Sequence, residues 1–183
     1  MSDILKTACL LSSLFLSLTA GAEANRSTGP VFEKYGPVID GVEAEYLPPV
    51  STYRAAFDVW IGPDDPATPN PRLETLARFM NYNARAGIDA ADMKLAVVLH
   101  GSAGRAALQQ AAYKKRFGVN NPDAELLTAL TEKGLRILYC GQSAAARGYA
   151  RKEMIAPVEM AVSAYTAILG LQEEGYRMMP SWE

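Results

Sequence analysis

Two short segments hold the residue types that can do chemistry in this 183-residue chain: His100-Gly101-Ser102-Ala103-Gly104 and Cys140-Gly141-Gln142-Ser143. Each directly follows an apolar run, Leu95 to Leu99 in one case and Leu135 to Tyr139 in the other. Each therefore reads as a strand-to-helix turn, where backbone N–H groups without intrahelical partners favour negative charge. A thiol placed there is easier to ionise, and the thiolate is the nucleophile. Cys140 is thus the candidate reactive residue, able to attack a sulfur donor or to hold an extra sulfur. A small buried hydrophobe at the end of a core strand is the competing account, because free cysteine is among the most buried residue types. His100, the only histidine, suits an acid–base role or a structural hydrogen bond to its own turn. Gly141, Gln142 and Ser143 are possible supporting residues beside the thiol.

Other chemistries fail on residue type or order. Gly141-Gln142-Ser143-Ala144-Ala145 resembles a nucleophile elbow of the serine hydrolases, but that fold needs its histidine after the serine, and none follows Ser143. Gly101-Ser102-Ala103-Gly104 lacks both the Lys-Ser/Thr of a phosphate loop and the third glycine of a dinucleotide fingerprint. One histidine and one cysteine without spaced acidic partners make a poor metal site, and no cofactor is implied. A net charge of −2, with Lys114-Lys115-Arg116 as the only basic run, argues against a nucleic-acid binder. The methionines of the C-terminal third read as core filler.

The cysteine count depends on the first residues. Lys6 precedes an apolar stretch from Ala8 to Leu18, and Ala20-Gly21-Ala22 or Ala22-Glu23-Ala24 then offers small-residue cleavage sites. This order predicts a signal peptide over residues 1–24, cleaved near Ala22 or Ala24, and a periplasmic or secreted protein. An uncleaved anchor or a buried first helix is the alternative. The stretch is short for a bilayer span, and no later segment is long and apolar enough for one, so no membrane association is expected after cleavage. Of the two cysteines, Cys9 would leave with the leader. Cys140 would then have no intrachain disulfide partner, which favours chemistry and excludes a CxxC pair.

The elements that position the two turns are legible from apolar pattern and punctuation. Residues 25–50 carry the breakers Gly29-Pro30, Gly36-Pro37 and Pro48-Pro49 among Val31, Phe32, Tyr35, Val38 and Ile39. They read as an extended arm on this domain or on a neighbouring subunit. Tyr53 to Trp60 suits a strand. Asn70-Pro71 starts a helix that Gly87 ends. Leu95 to Leu99 is a second strand, and Ser102 is expected to cap a helix running to Phe117. Asn121-Pro122 to Gly134 is expected to repeat the Asn-Pro start and Gly stop. Leu135 to Tyr139 is a third strand, followed by a short helix from Ser143 to Arg151. Met160 to Ser163, a helix from Tyr165 to Glu174 with Ile168, Leu169 and Leu171 inward, and Tyr176 to Met179 complete the pattern. Alternating strands and helices over residues 51–183 predict an α/β domain. It is a three-layer, flavodoxin-like fold with about five mainly parallel strands, helices on both faces, and its functional crevice beyond the carboxyl ends of the strands.

The segment Leu135 to Gly148, with Cys140 at its centre, resembles the strand, cysteine and helix of the DsrE/DsrF-like family, in particular the DsrE/TusD-type sulfur-relay proteins. The Leu99-His100-Gly101 ending and the closing Gln172-Glu173-Glu174-Gly175-Tyr176 with Pro180 fit the same pattern over roughly Tyr53 to Pro180. The resemblance implies a homotrimer or hexamer in which the residue at the Cys140 position accepts a persulfide sulfur and passes it to a partner protein. An export signal and an N-terminal arm depart from the cytoplasmic relay members. Three functions are therefore carried forward. The first is an exported sulfur carrier or sulfurtransferase-like protein with a sulfur donor and acceptor. The second is a non-catalytic oligomeric binding or scaffolding protein with a structural cysteine, and the third is a small-ligand binder using the two turns.

Overall fold

The structure, a computed structural model, describes residues 24–180. The leader expected over residues 1–24 lies outside the described residues but for Ala24. The arm contributes two short antiparallel strands, β1 (Arg26–Ser27) and β2 (Val38–Ile39). Five more strands follow: β3 (Tyr53–Val59), β4 (Met93–Leu99), β5 (Arg136–Cys140), β6 (Val158–Ala161) and β7 (Arg177–Met179). They form one sheet of order β6-β5-β4-β3-β7 in which every pair is parallel. The helices are α1 (Pro71–Arg85), α2 (Gln110–Phe117), α3 (Ala124–Glu132), α4 (Gly141–Arg147) and α5 (Ala164–Glu173). This is the α/β, flavodoxin-like arrangement that the sequence predicts.

The winding decides how thickly each face is covered. From β3 to β6 the chain steps across the sheet in one direction, and right-handed crossovers in one direction place their helices on one face. On that face α1, α3, α4 and the segment after β4 bury Phe57, Leu95, Val97, Ile137 and Tyr139 in a large core with Leu73, Leu76, Leu127 and Leu130. The step from β6 back past β3 to β7 reverses direction, so α5 falls on the other face. There it alone covers Ala56, Ala96, Val98, Leu138 and Cys140. Both faces are covered as expected, but one by a single helix.

Several elements differ from the sequence reading. The helix expected from Ser102 to Phe117 is split into a 3-10 segment, Gly101–Ala107, and α2. Leu108 breaks the run by bridging to Met154, and Ser102 Oγ accepts a hydrogen bond from Gly62 N instead of capping. Asn121 does not cap α3 either. Its buried Nδ2 donates to Ala106 O and Leu108 O, both at 2.8 Å, which pins the preceding loop. The helix expected over Ser143–Arg151 begins two residues earlier and stops at Gly148, whose φ is 63°. The strand placed at Met160–Ser163 is Val158–Ala161, and Ser163 instead caps α5 by accepting from Thr166 N. Finally, α5 turns Ala164, Ala167 and Leu171 inward, while Leu169 is 61% exposed. Small residues let the helix lie close to the sheet, which outweighs the greater hydrophobicity of the leucine.

Asn70 caps α1 as its type predicts, accepting from Arg72 N at 3.1 Å. The arm lies on the outer side of the same helix. Asn81 accepts from Val31 N and Phe32 N and donates to Phe32 O, Tyr35 O and Gly36 O. One turn later Arg85 donates to Gly29 O, Ser27 O and Thr28 O and pairs with Asp40. Gly36, at φ 65°, sits against Arg78 N so closely that a Cβ would be 2.3 Å away.

Candidate active site

The two chemically equipped turns meet at the carboxyl end of the sheet, on the thinly covered face. β5 ends at Cys140, and α4 begins at the next residue. Gly141 is required because a Cβ there would lie 2.8 Å from Ala161 O of β6. Cys140 is the N-cap of α4, and Ser143 N donates to its Sγ at 3.4 Å. Burial pushes the thiol pKa up. Hydrogen bonds from the Ser143 hydroxyl and from the N–H groups of Ser143, Ala164 and Gln142 outweigh that and hold it below the ordinary value. The donors come from the first turns of both α4 and α5, so the sulfur sits where two helices begin. Cys140 itself is only 5% exposed.

Ser143 joins the two turns. Its hydroxyl oxygen accepts from Gly101 N at 3.2 Å, and its backbone N–H donates to Cys140 Sγ. Gly101 has φ 55°, and a Cβ there would lie 2.2 Å from Trp60 O, so both conformation and space demand glycine. Gln142 is exposed, and its side-chain amide reaches Val162 O at 3.5 Å. Its contribution to the thiol is therefore its backbone N–H.

His100 follows β4 in extended backbone, φ −154° and ψ −171°. Because Leu99 pairs with Tyr139 and Cys140 is the next residue of β5, His100 stands in the row of Cys140. Strand alternation gives the two residues the same face. The ring turns toward the opposite neighbour, and Nε2 meets Asp58 Oδ1 of β3 at 2.8 Å. Sequence reading missed Asp58. Its signal was a lone carboxylate among the apolar residues of Tyr53 to Trp60, where a strand covered on both faces has no use for a charge. Gly141, Gln142 and Ser143 thus follow Cys140 in the first turn of α4, and His100 stands beside it in the row of the sheet with its ring on Asp58. No group of histidine, cysteine and acidic residues suited to a metal occurs among the described residues.

Exposed apolar side chains border this end of the sheet: Trp60 after β3, Val162 before α5, and Tyr165 and Leu169 on α5. No described helix is long and apolar enough to cross a membrane.

Residues 56–180 match the DsrE/DsrF-like family, and the chain belongs to that family. Among solved structures it is similar to MTH1491 from Methanobacterium thermoautotrophicum, a protein of unknown function. The TM-score is 0.51 and the identity 20%, over 69% of this chain and 97% of that one. It is also similar to the ychN protein from E. coli, with a TM-score of 0.48 and 15% identity over 69% and 97% of the two chains. At this identity the likeness to MTH1491 is one of fold. No curated protein matches the chain.

Proposed function

We propose, with membership of the DsrE/DsrF-like family as the premise, that the protein is an exported sulfur carrier in which Cys140 holds a persulfide sulfur between a donor and an acceptor. One observation carries this reading: Cys140 caps α4, with Ser143 N donating to its sulfur at 3.4 Å beside the start of α5, and the N–H groups there hold its pKa below the ordinary thiol value. A sulfur atom in that setting is favoured as an anion, whether thiolate or persulfide. The test is intact mass after incubation with thiosulfate or polysulfide. One added sulfur is expected on the wild type and none on Cys140→Ser. Equal gain by the variant, or no gain by the wild type from either donor, would overturn the reading.

Export is supported by the order of Lys6, the apolar stretch Ala8 to Leu18 and the small-residue sites ending at Ala22 and Ala24. It is checked by the N-terminal residue of the mature protein and its cell fraction. Assembly as a homotrimer or hexamer is supported by the apolar border of Val162, Tyr165 and Leu169 and is checked by light scattering.

The second reading, a binding or scaffolding protein with a structural cysteine, is favoured by the burial of Cys140. It expects native Cys140 to alkylate orders of magnitude more slowly than the same residue in the unfolded chain. It also expects Cys140→Ala to lose stability without losing any binding property.

A further inference from the structure

The Asp58–His100 pair has no evident structural duty. Its side chains are 35% and 26% exposed respectively. A pair that wet adds about 0–1 kcal/mol to stability. It stands on an apolar floor of Ala56, Ala96 and Val98, with His100 in the row where β5 presents Cys140 and Asp58 two residues back on β3, opposite Val98. The turn after His100 is tied to the turn after Cys140 through Gly101 N and Ser143 Oγ. The backbone that carries the ring is thereby fixed relative to the thiol.

We infer that Asp58, His100 and Cys140 form one catalytic cluster across three adjacent strands, with His100 as the acid–base group for sulfur transfer at Cys140 and Asp58 as the residue that positions its ring. The inference rests on the sulfur-carrier reading and assigns proton handling within it. With Nε2–H donated to Asp58, the lone pair at Nδ1 is the free base. Asp58 fixes that tautomer by accepting this hydrogen bond. In the forward step Nδ1 takes the Cys140 proton. The thiolate attacks the outer sulfur of a donor persulfide, R–S–SH. The donor S–S bond breaks as the Cys140 S–S bond forms, and R–S⁻ leaves with the electron pair. The imidazolium returns its proton to R–S⁻, giving R–SH and Cys140–S–SH. Total oxidation state is unchanged, because one sulfane sulfur has moved between two thiols.

Asp58 of β3 meets the imidazole at hydrogen-bond distance, Cys140 of β5 holds the neighbouring place in the row of His100, and Tyr165 is the ionisable residue in the first turn of α5. The other charged side chains of this sheet face, Arg54, Lys94, Arg136 and Glu159, lie toward the opposite ends of their strands, where Arg136 pairs with Glu159.

The test uses full-length mature protein and two readouts: the rate of one-sulfur gain from glutathione persulfide, and the pH profile of Cys140 alkylation by iodoacetamide. His100→Gln is expected to slow sulfur gain about 100-fold and to remove one inflection from the alkylation profile. Asp58→Asn is expected to slow it about 10-fold and to displace that inflection, while Asp58→Glu restores most of the rate. Wild-type rate and an unchanged profile in His100→Gln would overturn the inference. If His100→Gln does not fold, the contrast between Asp58→Asn and Asp58→Glu decides, and equal rates in both overturn it. A wild type that gains no sulfur removes the carrier reading alone, because the alkylation profile still reports whether imidazole and thiol are coupled.

Discussion

The two faces of the sheet differ in how much covers them, and Cys140, His100 and Asp58 sit on the thinner one. On the thick face, polar groups that must be buried are tied into networks. Asp123, buried near the carboxyl ends of the strands, accepts from Asn70 N at 2.8 Å, and its own N–H donates to Asn121 Oδ1. Burial pushes the Asp123 pKa up, and the Asn70 N–H and Arg105 oppose the shift only in part. The thin face has one helix, which lies over β4 and β5 with its N-terminus beside Cys140. It leaves Asp58 and His100 half-exposed, where a polar pair costs less than it would inside the thick core. A one-directional winding followed by a single return step is thus enough to separate a thickly packed face from the one that presents Cys140, His100 and Asp58.

Five substitutions test that division, in decreasing order of expected effect. Leu127→Ala removes a fully buried thick-face side chain and should cost about 3–4 kcal/mol in urea unfolding. Leu171→Ala under α5 should cost about 2 kcal/mol. Equal losses would mean that the two faces carry equal load. Gly101→Ala forces a side chain into a left-handed conformation against Trp60 O and should cost about 2 kcal/mol. It should also slow alkylation of Cys140, because Ser143 loses the Gly101 N–H. Ser143→Ala leaves the thick face untouched and raises the thiol pKa, so alkylation near neutral pH should slow about 10-fold, equivalent to about 1.4 kcal/mol. The sign for stability follows. A thiol pKa lowered by folding stabilises the protein above the unfolded cysteine's pKa, and that contribution fades as pH falls through the folded value. The Ser143→Ala stability deficit should therefore be largest in alkaline buffer. Tyr139→Phe is the smallest effect. The Tyr139 hydroxyl is buried on the thick face without a hydrogen-bond partner among the described residues, so its removal should be neutral or raise stability by less than about 1 kcal/mol.

Much of this was legible from residue type. Continuous apolar runs gave away β3, β4 and β5, because strands covered on both faces do not alternate. Asn70 and Gly87 bracketed α1 through capping chemistry that is local to a few residues. The strand-end positions of His100 and Cys140 followed from those runs. What escaped depended on contacts far apart in sequence. The break at Leu108 is made by Met154, and the inward face of α5 is chosen by how closely Ala164 and Ala167 let it approach. The partner of His100 is 42 residues upstream. Asp58 was visible as a misplaced charge, but only the register of β3 on β4 makes it a partner for the histidine. Leu169 and Leu171, two residues apart, stand on nearly opposite sides of the helix, so the spacing of Ala164, Ala167 and Leu171 already marks Leu169 as the outward one.

The clasp of the arm on α1 sets an order of events. Asn81 and Arg85, four residues apart, point the same way only once that helix is wound. Residues 27–36 have most of their hydrogen-bond partners on those two side chains. The part of the chain that leaves the ribosome early thus acquires its structure late, after a helix encoded some fifty residues downstream. Pulse-labelled hydrogen exchange during refolding should accordingly protect the amides of Val31 and Phe32 after those of α1.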